Sequence, residues 1–337
     1  MKAIVLRRRG DPDVLTLEEV SDPVLGLRDV LVAVEASAVN RTDLLERRGG
    51  YRAAASEVRP TIPGLDFSGR VIALGPEAQG VAVGDAVFGL LSGGGYAEQV
   101  ATPDRMVLPV PRGFTFAEAA ALPEAFFTAW DALLQVKLSL GDTVLIHAAA
   151  SGVGTSAIQL AHHLGARVLA TCSGPKAAAV AALGADAVWD YTRGGFTSFV
   201  QEATDGRGVN AILDFVGQDY LDQNLESLAV GGRLIIIGTL SGPTAPINLS
   251  RLMAKRAAIM GTLLRSRPRE EKMRLTQSVR QHVWPLWAAG RVAPVMDQSF
   301  PLVKAADAHR RMEANLNIGK ITLAVGPNAA RRPEAAQ

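Results

Sequence analysis

One stretch of the 337-residue chain constrains its fold more than any other. The apolar strand Thr143-Val144-Leu145-Ile146-His147 runs directly into Ala148-Ala149-Ala150-Ser151-Gly152-Val153-Gly154. Apolar residues at helical spacing follow from Val153 to Leu164 and stop at Gly165. A strand, a small-residue turn and a helix in that order bring bare backbone to a helix N-terminus. Unpaired N–H groups and the positive end of the helix dipole there favour an anion, above all a pyrophosphate. Gly152-Val153-Gly154-Thr155-Ser156-Ala157 matches a G-x-G-x-x-A pattern. The pattern alone is weak, but its position between a strand and a helix makes it a dinucleotide-binding signal.

The stretch opens a series. Strands are expected at Arg167 to Thr171, Ala187 to Trp189, Ala211 to Val216 and Arg233 to Ile237, with a helix at Lys176 to Leu183. This alternation predicts a doubly wound parallel sheet covered by helices on both faces. The first ~120 residues have a different rhythm. Ala3 to Leu6, Asp29 to Val34 and Gly69 to Leu74 are short β-branched runs separated by Gly, Pro and Asp turns, which suits a partly closed barrel. A helix around Arg269 to Trp284 and a strand from Lys320 to Val325 are expected near the C-terminus.

The segment that follows the second strand of the series bears on the cofactor. An NAD site usually carries Asp or Glu about 20 residues after the glycine turn, to bind the ribose 2′-hydroxyl. Here the segment reads Ala170-Thr171-Cys172-Ser173-Gly174-Pro175-Lys176, with no carboxylate. Ser173 can hydrogen-bond a 2′-phosphate and Lys176 can neutralise it. NADPH is therefore the expected cofactor.

Bulk numbers exclude several classes. Thirty-five basic residues against 33 acidic ones leave a formal charge of +2, too small for a broad field toward nucleic acid. The single cysteine, Cys172, rules out an internal disulfide and suits a cytoplasmic location. No apolar run reaches the ~18 residues of a membrane span, and Met1 to Arg9 does not read as a signal peptide.

Taken together, the residues resemble the zinc-free quinone oxidoreductases, the zeta-crystallin-like group of the medium-chain dehydrogenase/reductase superfamily. The similarity runs from Met1 to about Val325 through Val39-Asn40-Arg41-Thr42-Asp43, Pro63-Gly64-Leu65-Asp66-Phe67-Ser68-Gly69, Ser151-Gly152-Val153-Gly154 and Asn317-Ile318-Gly319-Lys320. Leu263-Leu264-Arg265-Ser266-Arg267 and Met312-Glu313-Ala314-Asn315 are similar to the tumour-suppressor-inducible branch. The resemblance implies an α/β chain with a GroES-like β-rich catalytic domain and an inserted Rossmann domain. The expected division is 1–122 for the first part of the catalytic domain, 123–265 for the Rossmann domain, 266–326 for the return and 327–337 for a disordered tail.

The resemblance also implies site residues. Ser151, Gly152 and Val153 would hold the pyrophosphate, and Ser173, Lys176 and Tyr191 would surround the 2′-phosphate. Gly217, Gly238, Leu263 and Leu264 would line the nicotinamide, with Thr128 beneath it and Asn315 and Asn40 as further cofactor contacts. In the family's alignment Ala149 and Ser151 stand where the first two fingerprint glycines lie, so the register of the turn stays open.

Zinc alcohol dehydrogenases of the superfamily carry a Cys and a Gly-His-Glu segment in the N-terminal domain. Asn40 falls where that Cys would be, and Gly64-Leu65-Asp66 replaces Gly-His-Glu. A four-cysteine structural lobe cannot form from one cysteine. The five histidines, His147, His162, His163, His282 and His309, show no metal-ligand spacing and are read as structural or solvated. No metal is expected. Without a Lewis acid the acceptor must already be electrophilic, as a quinone is. Asn40 and Tyr51 are the candidate donors to the developing oxyanion. An enone, alkenal or enoyl-thioester reductase is the alternative enzyme, and a non-catalytic NADPH- or RNA-binding protein is the third reading. A homodimer is expected through the apolar strand Ala257 to Leu263.

Overall fold

The computed structural model describes residues 1–50 and 61–333. The chain divides into two compact units, one built from residues 1–127 and 264–337 and the other from 128–263. The first is called here the split unit and the second the inserted unit.

The split unit begins with β1 (Lys2–Leu6), β2 (Leu15–Glu19), β3 (Asp29–Val39), α1 (Arg41–Arg48), β4 (Asp66–Leu74), β5 (Ala86–Leu90), β6 (Gln99–Pro103), β7 (Val107–Pro109) and α2 (Phe116–Ala120). The boundary with the inserted unit falls within α3 (Pro123–Gln135). In the inserted unit strands and helices alternate: β8 (Thr143–Ile146), α4 (Gly152–His163), β9 (Arg167–Cys172), α5 (Ala177–Ala182), β10 (Ala187–Asp190), α6 (Thr197–Ala203), β11 (Val209–Asp214), α7 (Leu221–Ser227), β12 (Leu228–Ile236), α8 (Leu249–Lys255) and β13 (Ala258–Gly261). The chain then returns through α9 (Arg269–His282), α10 (Trp284–Ala288), β14 (Met296–Pro301), α11 (Ala305–Glu313) and β15 (Lys320–Ala324).

All strand pairs of the inserted unit are parallel, in the order β10-β9-β8-β11-β12-β13. This is the doubly wound arrangement, and the order reverses between β8 and β11. Ligands of such sheets bind outside the carboxyl ends of the strands at that reversal. Leu145, Leu169, Ile212 and Leu234 are fully buried in one cluster with Phe196 and Val200, as expected of strands covered on both faces.

The split unit holds a seven-stranded sheet, β14-β15-β3-β4-β5-β7, with β6 also paired to β3, and a separate β1–β2 pair. Strand β15 lies between β14 and β3, so the last strand of the chain enters the middle of a sheet begun by the first hundred residues. Trp287 of α10 is buried between Phe88 and Phe126, edge-on to both at ring distances of 5.7 and 5.2 Å. Such contacts add to the area each ring removes from water.

Several elements differ from the sequence expectation. Strand β3 runs on to Val39 instead of ending near Val34, because Ala36 to Val39 pair with β15 and Ala36 to Ala38 with β4, and the buried Ser37 hydroxyl is satisfied by the Asp66 carbonyl at 2.7 Å. The helix expected from Arg269 to Trp284 is two helices, since Pro285 has no N–H to continue the first. The helix expected at Lys176 begins with a single 3₁₀ turn, Gly174–Lys176. The expected disordered tail is corrected for residues 327–333. The Asn328 N–H and side-chain amide both donate to Glu35 at 2.9 Å, and Ala329 is buried, with its carbonyl accepting from Ala117.

One glycine ties the inserted unit's first strand to its first helix. A Cβ on Gly154 would lie 2.5 Å from the Ala148 carbonyl oxygen and 2.7 Å from that of Ala149. Close helix–strand approach is the role of the third glycine in the dinucleotide fingerprint. Gly154 in that role would put Ala149 and Ser151 at the first two positions, as in the family's alignment. Gly154→Val forces this junction apart. Overpacking of this kind costs about 1–3 kcal/mol. The expected outcome is a fall in melting temperature of roughly 4–10 °C, read by thermal unfolding of the purified variant; unchanged melting would contradict the packing role.

Candidate functional site

The carboxyl ends of the inserted unit's strands carry the expected dinucleotide residues side by side. Ser151 is the N-cap of α4, and its hydroxyl accepts from the Gly154 N–H at 3.0 Å. Gly152 and Val153 are the next two residues, in the first turn, where N–H groups have no partner inside the helix. Ser173 follows β9 and is half-buried, with Lys176 three residues on. Tyr191 follows β10 with a partly exposed ring. Gly217 follows β11 at φ 85°, and its N–H donates to the Asp214 carboxylate. Gly238 follows β12, and its N–H donates to the Asp214 carbonyl. The strand order therefore aligns seven of these eight along one edge in the sequence Tyr191, Ser173, Ser151–Val153, Gly217 and Gly238. Leu263 is exposed two residues beyond β13, and Thr128 is buried in α3.

A bare turn, a capped helix start and a cation after the second strand fit a dinucleotide phosphate. Sequence reasoning missed one group here, Asp190. Strand β10 pairs in parallel with β9 so that Asp190 is opposite Cys172, one residue before Ser173. The carboxylate accepts from the Thr192 hydroxyl at 2.8 Å and from the Thr192 N–H at 3.0 Å. These bonds hold its pKa below the usual carboxylate range. Asp190, the last residue of β10, thus puts a carboxylate beside the end of β9. An acidic residue closing a short apolar strand was the only sequence signal.

Behind this edge a buried polar set braces the sheet. His147 bonds Thr171 through Nδ1 at 2.9 Å and Asn224 through Nε2 at 2.7 Å, while Asn224 donates to Asp214 at 3.0 Å. Burial lowers the His147 pKa to about 4, so the ring is neutral and structural. Burial likewise raises the Cys172 thiol to about 11, which makes it a poor nucleophile.

In the split unit the expected residue Asn40 joins β3 to α1 and is buried. Its backbone N–H donates to Asp43 at 2.8 Å. Its side chain is engaged on both faces. Oδ1 accepts from Lys320 Nζ at 2.5 Å, and Nδ2 donates to Asp66 Oδ2 at 2.9 Å. Asp66 also accepts from Lys320 at 2.8 Å and from the Glu124 N–H at 2.8 Å. The second hydrogen on Nδ2 meets only the Ala38 carbonyl at a long 3.4 Å.

Sheet register makes this cluster. Ile321 pairs with Val39, which brings Lys320 opposite Asn40, and Ala38 pairs with Asp66. Gly319 at φ 76° turns the chain into β15, where a Cβ would lie 2.1 Å from the Val295 carbonyl oxygen. Lys320 and Asp66 were read only as parts of larger motifs. A lone lysine heading an otherwise apolar strand was the signal for the first.

Asp43 lies one layer behind. It accepts from the Tyr96 hydroxyl at 3.0 Å, and that hydroxyl meets His309 Nε2 at 3.2 Å. Burial pushes the Asp43 carboxyl up to about 7 against these bonds. Burial lowers the His309 pKa to about 3. Leu264 is buried, and Asn315 is an exposed residue at φ 53° after α11. Tyr51 lies outside the described residues. His162, His163 and His282 are exposed. Among the described residues no group of three or more His, Cys, Asp and Glu side chains could hold a metal, and no helix is long and apolar enough to cross a membrane.

Comparison with known proteins agrees with both units. Residues 26–112 match the alcohol dehydrogenase GroES-like domain and residues 152–279 match the zinc-binding dehydrogenase model. A human protein named quinone oxidoreductase is 30% identical over 316 residues, covering 93% of this chain and 94% of the relative. A solved NAD-dependent alcohol dehydrogenase is 32% identical with a TM-score of 0.86, covering 97% of this chain and 100% of the other. A mycobacterial protein solved in complex with NADPH is also 32% identical with a TM-score of 0.86, covering 96% and 100%. The chain belongs to the quinone oxidoreductase group of the medium-chain dehydrogenase/reductase superfamily.

Proposed function

We propose that the protein is a metal-independent NADPH:quinone oxidoreductase. One observation carries this reading. The zinc-ligand positions hold Asn40 and a fully buried leucine, Leu65, and the carboxylate of the same segment, Asp66, is already paired with Lys320. Leucine cannot ligate a metal, and an ammonium bound to the carboxylate competes with any added cation. The chemistry then needs an acceptor that is electrophilic without a Lewis acid.

Bound NADPH would supply a hydride from nicotinamide C4. Quinone, NADPH and one proton give hydroquinone and NADP⁺, and the charge that develops on the quinone oxygen needs a donor. The second Asn40 N–H is aimed at a carbonyl 3.4 Å away and is the least committed donor of the cluster. It is proposed to bind that oxygen. The Tyr51 phenol is proposed as the second donor. Ser151, Gly152 and Val153 are proposed to hold the pyrophosphate, and Ser173, Lys176 and Tyr191 the 2′-phosphate. Thr128, Gly217, Gly238, Leu263, Leu264 and Asn315 are proposed as the remaining cofactor contacts.

A second cofactor reading rests on Asp190, whose carboxylate opposes a 2′-phosphate and would tolerate NADH. Lys176 decides between them. A charge-assisted bond contributes about 1.5–3 kcal/mol, so Lys176→Ala should raise the KM for NADPH roughly 10- to 100-fold and leave that for NADH within about twofold. An equal loss for both cofactors would remove the 2′-phosphate assignment, and a lower NADPH KM in Asp190→Asn would support the opposing charge. The reaction itself is tested by following NADPH oxidation with naphthoquinone, phenanthrenequinone and an enone. Quinone turnover above enone turnover is expected, and the reverse order would make the protein an enone reductase.

A homodimer is also proposed, through β13. Among the described residues that strand is an edge, paired only to β12, with Ile259 and Met260 half-buried. An open apolar edge invites the same strand of a second copy. Light scattering should give twice the 35.5 kDa chain mass, and a monomer mass would exclude it.

A further inference from the structure

The buried cluster around Asn40 contains a cation that the proposed reaction does not use. We propose that Lys320 is a positioning residue, an internal cation that fixes which side of the Asn40 amide is a hydrogen-bond donor. The inference rests on the proposed role of Asn40 toward the acceptor oxygen.

The geometry is that of a small cation site filled by an ammonium. Lys320 Nζ has three hydrogens and three oxygens around it: Asn40 Oδ1 at 2.5 Å, Asp66 Oδ2 at 2.8 Å and the Val39 carbonyl at 3.4 Å. Its side chain is 5% exposed and that of Asp66 0%. Two of the three oxygens belong to the residues that stand in the metal-ligand segments of the zinc dehydrogenases. Lysine has no acceptor, so the amide must turn its oxygen toward Nζ. Ionised Asp66 has no donor, so the amide must turn its nitrogen toward Oδ2. Both partners therefore select the same flip of an amide whose two ends are otherwise nearly alike in shape. In the opposite flip the Asn40 oxygen would meet the Asp66 carboxylate and the amide N–H groups would meet the ammonium. That arrangement would leave a carbonyl oxygen where the acceptor oxygen needs a donor.

A purely structural role for the ion pair makes a different forecast. It would require only that Asp66 not be left as an unpaired buried charge. The two roles separate in the variant Asp66→Asn combined with Lys320→Met, which removes both charges together and leaves the Asn40 amide free to flip. Its melting temperature is expected to lie closer to that of the parent than that of Lys320→Met alone. Its kcat with a quinone is expected to fall at least tenfold, with the KM for NADPH within about twofold, because the cofactor phosphates are held elsewhere. Lys320→Arg keeps the charge and the donors, and should recover at least a third of the lost kcat. A double variant with parent kcat, or Lys320→Arg no better than the double variant, would overturn the proposal.

A second readout does not depend on turnover. With ¹⁵N-asparagine labelling and Asn40→Asp to assign the signal, the two side-chain amide protons of Asn40 should be distinct and slow to exchange in the parent protein. In the double variant they should exchange at least tenfold faster. Unchanged exchange would overturn the proposal even if turnover fell. If the parent protein oxidises NADPH with no quinone or enone, the proposed reaction fails, while the exchange measurement still decides whether Lys320 orders Asn40.

Discussion

The split unit depends on a buried pairing between parts of the chain that lie more than 250 residues apart. Lys320 meets Asp66 at 2.8 Å with both side chains out of solvent. Further ion pairs cross the same seam, among them the buried Arg265 with Glu46 at 2.8 Å and the buried Arg47 with Glu313. Each joins the returning segment to the first hundred residues. Burying charges is expensive, and attraction offsets that cost only when the remaining polar atoms are also satisfied. Asp66 meets this condition through Asn40 and the Glu124 N–H. The pairs therefore do more than add attraction: they specify where the return must dock, since any other register leaves a buried charge alone.

That docking decides the chemistry available to the unit. Strand β15 enters between β14 and β3 and delivers an ammonium to Asn40 and Asp66. The inserted unit follows a separate logic. Its sheet reverses order between β8 and β11, and the reversal gathers small-residue turns at one edge. The buried His147–Asn224–Asp214 set lies beneath those turns, with His147 held neutral and Asp214, its pKa raised by burial to about 6, accepting from Asn224.

The inserted unit was largely legible in the sequence. Its strands are local, continuous apolar runs, and its turn sits between a strand and a helix, so periodicity alone locates Ser151 to Val153. The register of the fingerprint was not legible, because Gly152 and Gly154 are equivalent as letters. The 2.5 Å approach of a Gly154 Cβ to the Ala148 carbonyl appears only in the folded chain. The tail shows the same limit. Its Ala-, Pro- and Arg-rich composition suggests disorder, while Asn328 and Ala329 are held by Glu35 and Ala117, which composition cannot reveal.

By itself the sequence determined the class of each unit, the strand–turn–helix start of the inserted unit and the residue types at Asn40, Leu65 and Asp66, because all three are written over short spans. Tertiary structure decided what surrounds Asn40 and Asp66. Asn40, Asp66 and Lys320 form one cluster only because β15, β3 and β4 are neighbours in a set register. A one-residue slip would turn Lys320 to the opposite face of the sheet. The residues proposed to choose the cofactor divide in the same way: Ser173 and Lys176 lie three residues apart in sequence, whereas Asp190 joins them through the parallel pairing of β10 with β9. Short-range chemistry is visible in the order of residues, while long-range charge pairing waits on the sheet.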